Sequence, residues 1–146
     1  MITLAILQQM ATDNVANLEV DKNFFWEEMP LQKDGNPAQG VWLVTRGAGT
    51  STSTGLNQHT TVDFYVAFNS KPKTESVLEE IRNWVQANPT LCELRGAVGN
   101  IRYSFDNVRI RPATTPQNYG ATSNGMIVKV ASAEIYFDKS TNQEVK

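Results

Sequence analysis

The sequence of 146 residues contains one cysteine, Cys92, and one histidine, His59. A single cysteine excludes an internal disulfide, and it cannot supply a cysteine-rich zinc site. Nucleophilic catalysis needs a base beside the nucleophile, but the only histidine lies in a stretch rich in Gly, Ser and Thr. We interpret His59 as a solvated loop residue and Cys92 as a small packing residue. The sequence therefore predicts no catalytic or metal site, no cofactor and no enzyme.

A strong net charge and long apolar runs are also missing. The formal net charge is -2, which gives no bulk attraction for nucleic acid or anionic lipid. No apolar run approaches the roughly 18 residues that a membrane-spanning helix needs. Hydrophobic residues make up 40% of the chain, which is enough for one core at this length. We expect a single domain over residues 1–146 that folds in the cytoplasm and does not bind membranes.

Two segments have apolar residues at helical spacing. The first occupies residues 2–11, where polar residues separate the apolar ones as in a short amphipathic helix. The second begins near Pro72 and Thr74 and stops before Asn88-Pro89, because proline disfavours a helical conformation in the residue that precedes it. Its predicted apolar stripe consists of Val77, Leu78, Ile81, Trp84 and Val85.

Several segments have strand character: residues 23–27, 40–46, 62–68, 102–111 and 126–137. Residues 62–68 show the clearest alternation of apolar and polar side chains. Residues 40–46 are apolar on both faces, which indicates a strand that is covered on each side. The alternation in residues 102–111 is interrupted near Asp106-Asn107. Residues 91–100 are punctuated by glycine and cannot be assigned.

Polar segments connect these elements. Residues 47–60 and 111–125 are rich in Gly, Ser, Thr and Pro, and we expect two mobile loops there. Residues 140–146 are expected to form a frayed tail. The order of elements has no repeated βαβ spacing, so we predict an α+β fold, with a mostly antiparallel twisted sheet and two helices packed on one face. The predicted core contains Ile6, Met10, Phe64, Val66, Val77, Ile81, Trp84 and Val128.

Three arginines on one predicted strand, with Tyr103 and Phe105 nearby, are the best candidates for binding a charged partner: Arg102, Arg109 and Arg111. They could contact nucleic acid through phosphate pairing and base stacking. Alternatively, they form the polar face of a strand and pair with Asp63 or Glu134 in this chain, or with acids on a neighbour. We favour the second interpretation because the chain as a whole is acidic, and we expect no specific nucleic-acid binding.

Four segments of the sequence resemble the bacteriophage tail terminator family, whose members are also described as minor capsid or tail completion proteins. They are ITLAILQQM, GVWLVTRGAGTSTSTG, TTVDFYVAFNSKPKTESVLEEIRNWV and NYGATSNGMIVKVASAEIYF. They lie between residues 2 and 137, so the resemblance extends over most of the chain. The resemblance implies an α+β structural subunit that forms a hexameric ring, caps the tail tube, ends its polymerisation and faces the head connector.

The resemblance implies no catalytic residue and no cofactor. It implies partners in a second copy of the chain, the tail tube protein and the head–tail connector protein, with DNA free to pass through the ring. The location it implies is the head-proximal end of the virion tail, assembled in the host cytoplasm. A head-completion or neck connector protein of similar size is the alternative. Candidate contact residues, mainly in the two loops and on the arginine strand, are Arg46, Thr50, Thr52, Leu56, Arg102, Arg109, Arg111 and Tyr119.

Overall fold

The computed structural model describes residues 2–28, 39–46, 58–113, 117–121 and 126–144. The described residues form two α-helices, a 3-10 turn at Val15–Asn17, and eight strands. The helices are α1 (Ile2–Thr12) and α2 (Lys71–Ala87). The strands are β1 (Phe24–Trp26), β2 (Gly40–Arg46), β3 (Gln58–Phe68), β4 (Thr90–Val98), β5 (Ile101–Pro112), β6 (Gln117–Ala121), β7 (Ile127–Phe137) and β8 (Lys139–Glu144).

The strands form one sheet in the order β1-β2-β3-β7-β5-β4, with β6 paired to β7 and β8 paired to β5. The pair β1–β2 is parallel, and the other strand pairs of the described residues are antiparallel. Helix α1 packs against β4, β1 and β2, whereas α2 packs against β3, β7 and β5. Both helices enclose one apolar core with the sheet, which confirms the predicted α+β class.

Helix α1 is more deeply enclosed than an amphipathic surface helix. All residues from Ile2 to Leu7 are buried, including Thr3, whose hydroxyl lies 2.6 Å from the hydroxyl of Thr45 on β2. The sheet surrounds this helix because β1 and β2 contact it as well as β4 at the other end of the strand order. The expectation of a polar outer face is therefore wrong for the first two turns of the helix.

Helix α2 follows its sequence signals closely. The Ser70 hydroxyl accepts a hydrogen bond from the backbone N–H of Lys73, and Pro72 lies in the first turn, where its missing N–H costs nothing. The predicted apolar stripe is buried. The indole N–H of Trp84 donates to a carboxylate oxygen of Asp13 at 2.8 Å, which ties α2 to the end of α1.

Strand β5 bends where the sequence pattern is interrupted. Asn107 has φ 52°, in the left-handed region, and this turn of the backbone shifts the alternation by one residue. Phe105 before the bend and Val108 after it are both buried in the core. Because the shift keeps the apolar side chains on the helix side, the arginines Arg102 and Arg109 project from the opposite face.

The structure corrects several predicted boundaries. The unassigned residues 91–100 largely belong to β4. In the predicted loop 47–60, Gln58–Thr60 belong to β3, and residues 47–57 lie outside the described residues. The predicted loop 111–125 contains the end of β5 and all of β6, with 114–116 and 122–125 outside the described part.

The prediction of a frayed tail is wrong for residues 140–144, which form most of β8. Strand β8 continues the path of β7 along β5, since Tyr136 pairs with Arg109 and Lys139 pairs with Asp106 in one unbroken register. Residues 145–146 lie outside the described residues. Strand β8 has no alternation of apolar and polar residues, so only its hydrogen bonds to β5 identify it as a strand.

The predicted core residues are all buried. Seven of the eight belong to the main core cluster between helices and sheet, but Val128 does not. Its strand partner is Ala67, on the sheet face that the helices do not cover. Val128 is therefore buried on the opposite side of the sheet from the position we expected.

Candidate interaction surface

The sheet face opposite α1 and α2, called the helix-free face below, carries a row of polar residues from four strands. The register aligns Arg46 on β2 with Thr61 on β3, Thr61 with Glu134 on β7, and Glu134 with Arg111 on β5. Partners in register project from the same face of a sheet. Arginines therefore stand at both ends of this row, with a carboxylate between them.

Arg46 is engaged within the chain. Its Nε lies 3.2 Å from Oδ1 of Asp63, and one of its terminal nitrogens donates to the hydroxyl of Ser132 at 3.5 Å. The Ser132 hydroxyl donates to the same carboxylate, which is only 6% exposed. A buried carboxylate without partners is costly, so Arg46, predicted as a partner contact, stabilises Asp63 within the subunit.

His59, Tyr136 and Arg111 form a stack across three strands. The His59 and Tyr136 rings have centroids 4.5 Å apart and are inclined by 21°. The guanidinium carbon of Arg111 lies 5.8 Å from the Tyr136 ring centroid, and β3 and β5 flank β7. Aromatic contact of this kind orients a guanidinium group and leaves its N–H donors available to a partner.

His59 is not the solvated loop residue that we expected. It lies on β3, and its Nε2 is buried without a hydrogen-bond partner among the described residues. The nearest carboxylate oxygen, Oε1 of Glu134, is 3.9 Å away. The Tyr136 hydroxyl donates to Oε2 of Glu134 at 3.4 Å. The loop prediction failed because the polar residues 58–61 pair with β7, and this pairing is not visible in the sequence.

The bend of β5 is fixed by a second polar cluster. Arg109 donates to Oδ1 of Asp138 at 2.9 Å, and the side-chain amide of Asn107 donates to Oδ2 at 2.7 Å. The hydrogen bond from Asn107, followed by that from Arg109, lowers the pKa of Asp138 below its usual value. Arg109, predicted as a partner contact, is therefore engaged at the junction of β5, β7 and β8.

Arg102 lies on the helix-free face of the β4–β5 hairpin, beside an open groove of about 810 Å³ that also borders Gln8 and Thr141. Its neighbour Arg95 is held by Glu93 through two hydrogen bonds of 2.9 and 3.0 Å. These bonds from Arg95, and another from Ser104, lower the pKa of Glu93. Arg102 itself has no carboxylate within ion-pair distance in the described residues.

The six arginines of the chain thus divide into two groups. Four lie within 4.0 Å of a carboxylate: Arg46, Arg82, Arg95 and Arg109. Arg102 and Arg111 are exposed and have no such partner among the described residues. The alternative in which these two arginines pair with Asp63 or Glu134 is not observed, because Asp63 binds Arg46 and Glu134 adjoins His59 and Tyr136.

The remaining predicted contact residues cannot be placed on this surface. Thr50, Thr52 and Leu56 lie outside the described residues, as does the side chain of Tyr119 on β6. Cys92 is exposed on β4, so the expectation that it packs in the core is wrong.

Large exposed apolar residues were missed at the sequence level. In the described part of the chain they are Val20, Trp26, Val98 and Ile101, with exposed fractions of 42%, 36%, 42% and 37%. Val20 and Trp26 flank or belong to β1, and Val98 pairs with Ile101 at the tip of the β4–β5 hairpin. Only Trp26 lies in a predicted strand, and the residue types gave no signal of exposure, since the same types fill the core elsewhere.

The described ranges contain no group of three or more His, Cys, Asp or Glu side chains that could hold a metal ion. In the same ranges, no helix is long and apolar enough to cross a membrane. Comparison with known proteins adds no identification, because no protein-family model matches the chain and no curated protein sequence matches it.

Proposed function

We propose that the chain is a structural subunit of a phage tail. In this role it forms a ring, hexameric as in the tail terminator family, that caps the tail tube, ends its polymerisation and joins it to the head connector. The partners are further copies of the chain, the tube protein and the connector protein. The ring belongs to the head-proximal end of the tail, assembled in the host cytoplasm.

The observation that carries the proposal is the pair Arg102 and Arg111. Both guanidinium groups are exposed on the helix-free face and lack a carboxylate partner among the described residues, although the chain has more acidic than basic side chains. Arginine forms bidentate hydrogen bonds with carboxylates and is common at the centre of protein interfaces. Two free arginines on an acidic subunit therefore favour contact with acids of a neighbouring protein.

The surroundings of these arginines support a protein partner over nucleic acid. Asp106 lies on β5 with the two arginines, Glu93 and Glu134 lie on its partner strands β4 and β7, and Asp138 lies between β7 and β8. Closely spaced carboxylates repel a phosphate backbone, whereas mixed charges match a protein surface of mixed charge. If duplex DNA nevertheless binds, its affinity must fall steeply with salt and must drop when Arg111 is neutralised.

The test uses purified tail tubes and electron microscopy. Wild-type protein is mixed with tubes, and we expect a ring at one end of each tube. The variants Arg102→Gln and Arg111→Gln should reduce the capped fraction several-fold, whereas Arg82→Gln, which removes the same charge from α2, should not. Tubes left uncapped by the wild-type protein would contradict the proposal, and binding to an isolated connector but not to tubes would favour the head-completion alternative.

A further inference from the structure

A single side-chain atom of the described residues is both buried and without a hydrogen-bond partner, and it is Nε2 of His59. A buried polar atom in this state costs free energy, and such atoms are rare in native structures. His59 is also the only histidine of the sequence. The proposed function does not use this nitrogen, so its burial on the helix-free face points to a further role.

Protonation gives Nε2 of His59 a partner. An imidazole ring gains a proton between about pH 8 and pH 5, and the protonated ring donates from both nitrogens. Oε1 of Glu134 lies 3.9 Å from Nε2, which is within ion-pair reach but too long for a hydrogen bond. The Glu134 side chain is 40% exposed, so its carboxylate can rotate to close this gap while the strands stay in place.

The charged groups that face His59 come from three neighbouring strands. Glu134 on β7 has no lysine or arginine within ion-pair distance among the described residues, and Arg111 on β5 has no carboxylate. The Tyr136 ring on β7 lies against both His59 and Arg111. The other two cations are already bound to carboxylates, at 3.2 and 2.9 Å, in the pairs Arg46–Asp63 and Arg109–Asp138. Glu134 is therefore the carboxylate that a protonated His59 meets.

Glu134 also faces Arg111, because the two residues are in register between β7 and β5. Directly opposed residues of an antiparallel pair have Cβ atoms about 5 Å apart. While His59 is neutral, the Glu134 carboxylate repels any partner carboxylate that approaches Arg111. Once His59 is protonated, Glu134 is neutralised within the subunit, and the group of three residues gains one positive charge.

We infer that His59 is a pH-sensitive switch on the helix-free face: its protonation pairs it with Glu134 and strengthens the binding of an acidic partner at Arg111. The inference rests on the proposed function for the identity of that partner. Binding and protonation are linked reciprocally, so a carboxylate bound at Arg111 also favours the protonated form of His59. The affinity for an acidic partner is therefore higher at pH 5.5 than at pH 8.

Binding of a generic acidic peptide tests the switch without tail tubes. The probe is fluorescently labelled polyaspartate, and its affinity is measured by anisotropy at pH 8 and pH 5.5. We expect several-fold tighter binding at pH 5.5 for the wild type. His59→Phe keeps an aromatic ring against Tyr136 but cannot take up a proton, so it should lose this difference. The same pH response in both proteins would overturn the inference.

Two further variants locate the response. Arg111→Gln removes the cation that binds the partner, and Glu134→Gln removes the charge that His59 neutralises, so each should reduce the pH response of polyaspartate binding several-fold. Arg82→Gln on α2 is the matched control and should keep the full response. A response of wild-type size in both Arg111→Gln and Glu134→Gln would contradict the assigned contacts.

Nuclear magnetic resonance observes the pairing itself. In protein without a histidine tag, every imidazole N–H signal belongs to His59. At pH 5.5 we expect the Nε2–H proton to exchange with water several-fold more slowly in the wild type than in Glu134→Ala. Equal exchange rates would show that the protonated ring does not pair with Glu134.

Tail tubes then connect the switch to the proposed function. The amount of wild-type protein that caps half of the tubes should fall several-fold from pH 8 to pH 5.5, relative to His59→Phe on the same tubes. If both proteins cap tubes with the same pH dependence, the switch is wrong and the proposed function stands. If polyaspartate binding responds to pH as expected but tubes stay uncapped at both pH values, the switch stands and the tube role is wrong.

Discussion

A Cβ atom on Gly96 of β4 would lie 3.0 Å from both Cα and Cβ of Ala5 on α1. Helix and strand therefore touch nearly backbone to backbone, and only a hydrogen fits between them. This close approach packs α1 directly against β4. Gln8, one turn further along the helix, can then hydrogen-bond the backbone carbonyl and N–H of Ala97.

Replacing Gly96 by valine should separate α1 from β4. The neighbouring atoms belong to a helix backbone that cannot yield locally, so we expect a loss of about 1–3 kcal/mol in the free energy of unfolding. Urea denaturation followed by circular dichroism measures the loss. Ala97→Val, at the adjacent exposed position, is the matched control. Equal stability of the two variants would contradict the close packing.

The bend of β5 predicts a difference between two substitutions at Asn107. Both Asn107→Gly and Asn107→Val remove the hydrogen bond to Asp138, but only glycine adopts the left-handed backbone without strain. The valine variant should be less stable than the glycine variant by about 1–2 kcal/mol. Thermal unfolding of the pair gives this difference directly. A valine variant as stable as the glycine variant would show that the bend does not require the left-handed conformation.

Much of the fold could be predicted from local pattern. The stripe of α2, the alternation of residues 62–68 and the interruption at Asp106-Asn107 are all found in the structure, because each is encoded by neighbouring residues. Strands β4, β6 and β8 were not predicted. They are rich in polar residues or glycine, and their hydrogen bonds come from partners far away in the chain, which local periodicity does not reveal.

The four predicted contact arginines should differ in their structural roles. Arg46→Gln leaves the buried Asp63 carboxylate with one fewer charged partner, so we expect a loss of about 1–2 kcal/mol of stability. Arg111 is exposed, lies over the Tyr136 ring and has no ion pair among the described residues, so Arg111→Gln should change stability by less than about 0.5 kcal/mol. Chemical denaturation of both variants provides the comparison, and a reversed order would contradict the assigned roles.

Stability at low pH should report on Asp138. Its pKa is lowered in the folded chain, first by Asn107 and then by Arg109, so the ionised carboxylate favours folding. This contribution is present above the ordinary aspartate pKa of about 4 and is lost as the pH falls through the lower folded-state value. Between pH 6 and pH 3, the urea midpoint should fall further for the wild type than for Asp138→Asn. Glu80→Gln serves as an exposed carboxylate control, and equal falls for wild type and Asp138→Asn would contradict the account.

The candidate surface was predictable only in part. The sequence identified the arginines of β5 but could not tell which were already engaged, since Asp63 and Asp138 reach their partners through strand pairing. The exposed apolar residues Val20, Trp26, Val98 and Ile101 were missed, because exposure depends on which strand lies at the edge of the sheet.

The central claim, that this chain ends tube growth, is tested most directly by polymerising purified tail tube protein with increasing amounts of the wild-type chain and measuring tube length by electron microscopy. We predict that the mean length shortens as the ratio of chain to tube protein rises, with a ring at one end of the stopped tubes. Arg111→Gln should need several-fold more protein for the same effect. A length distribution unchanged at every ratio would contradict the claim.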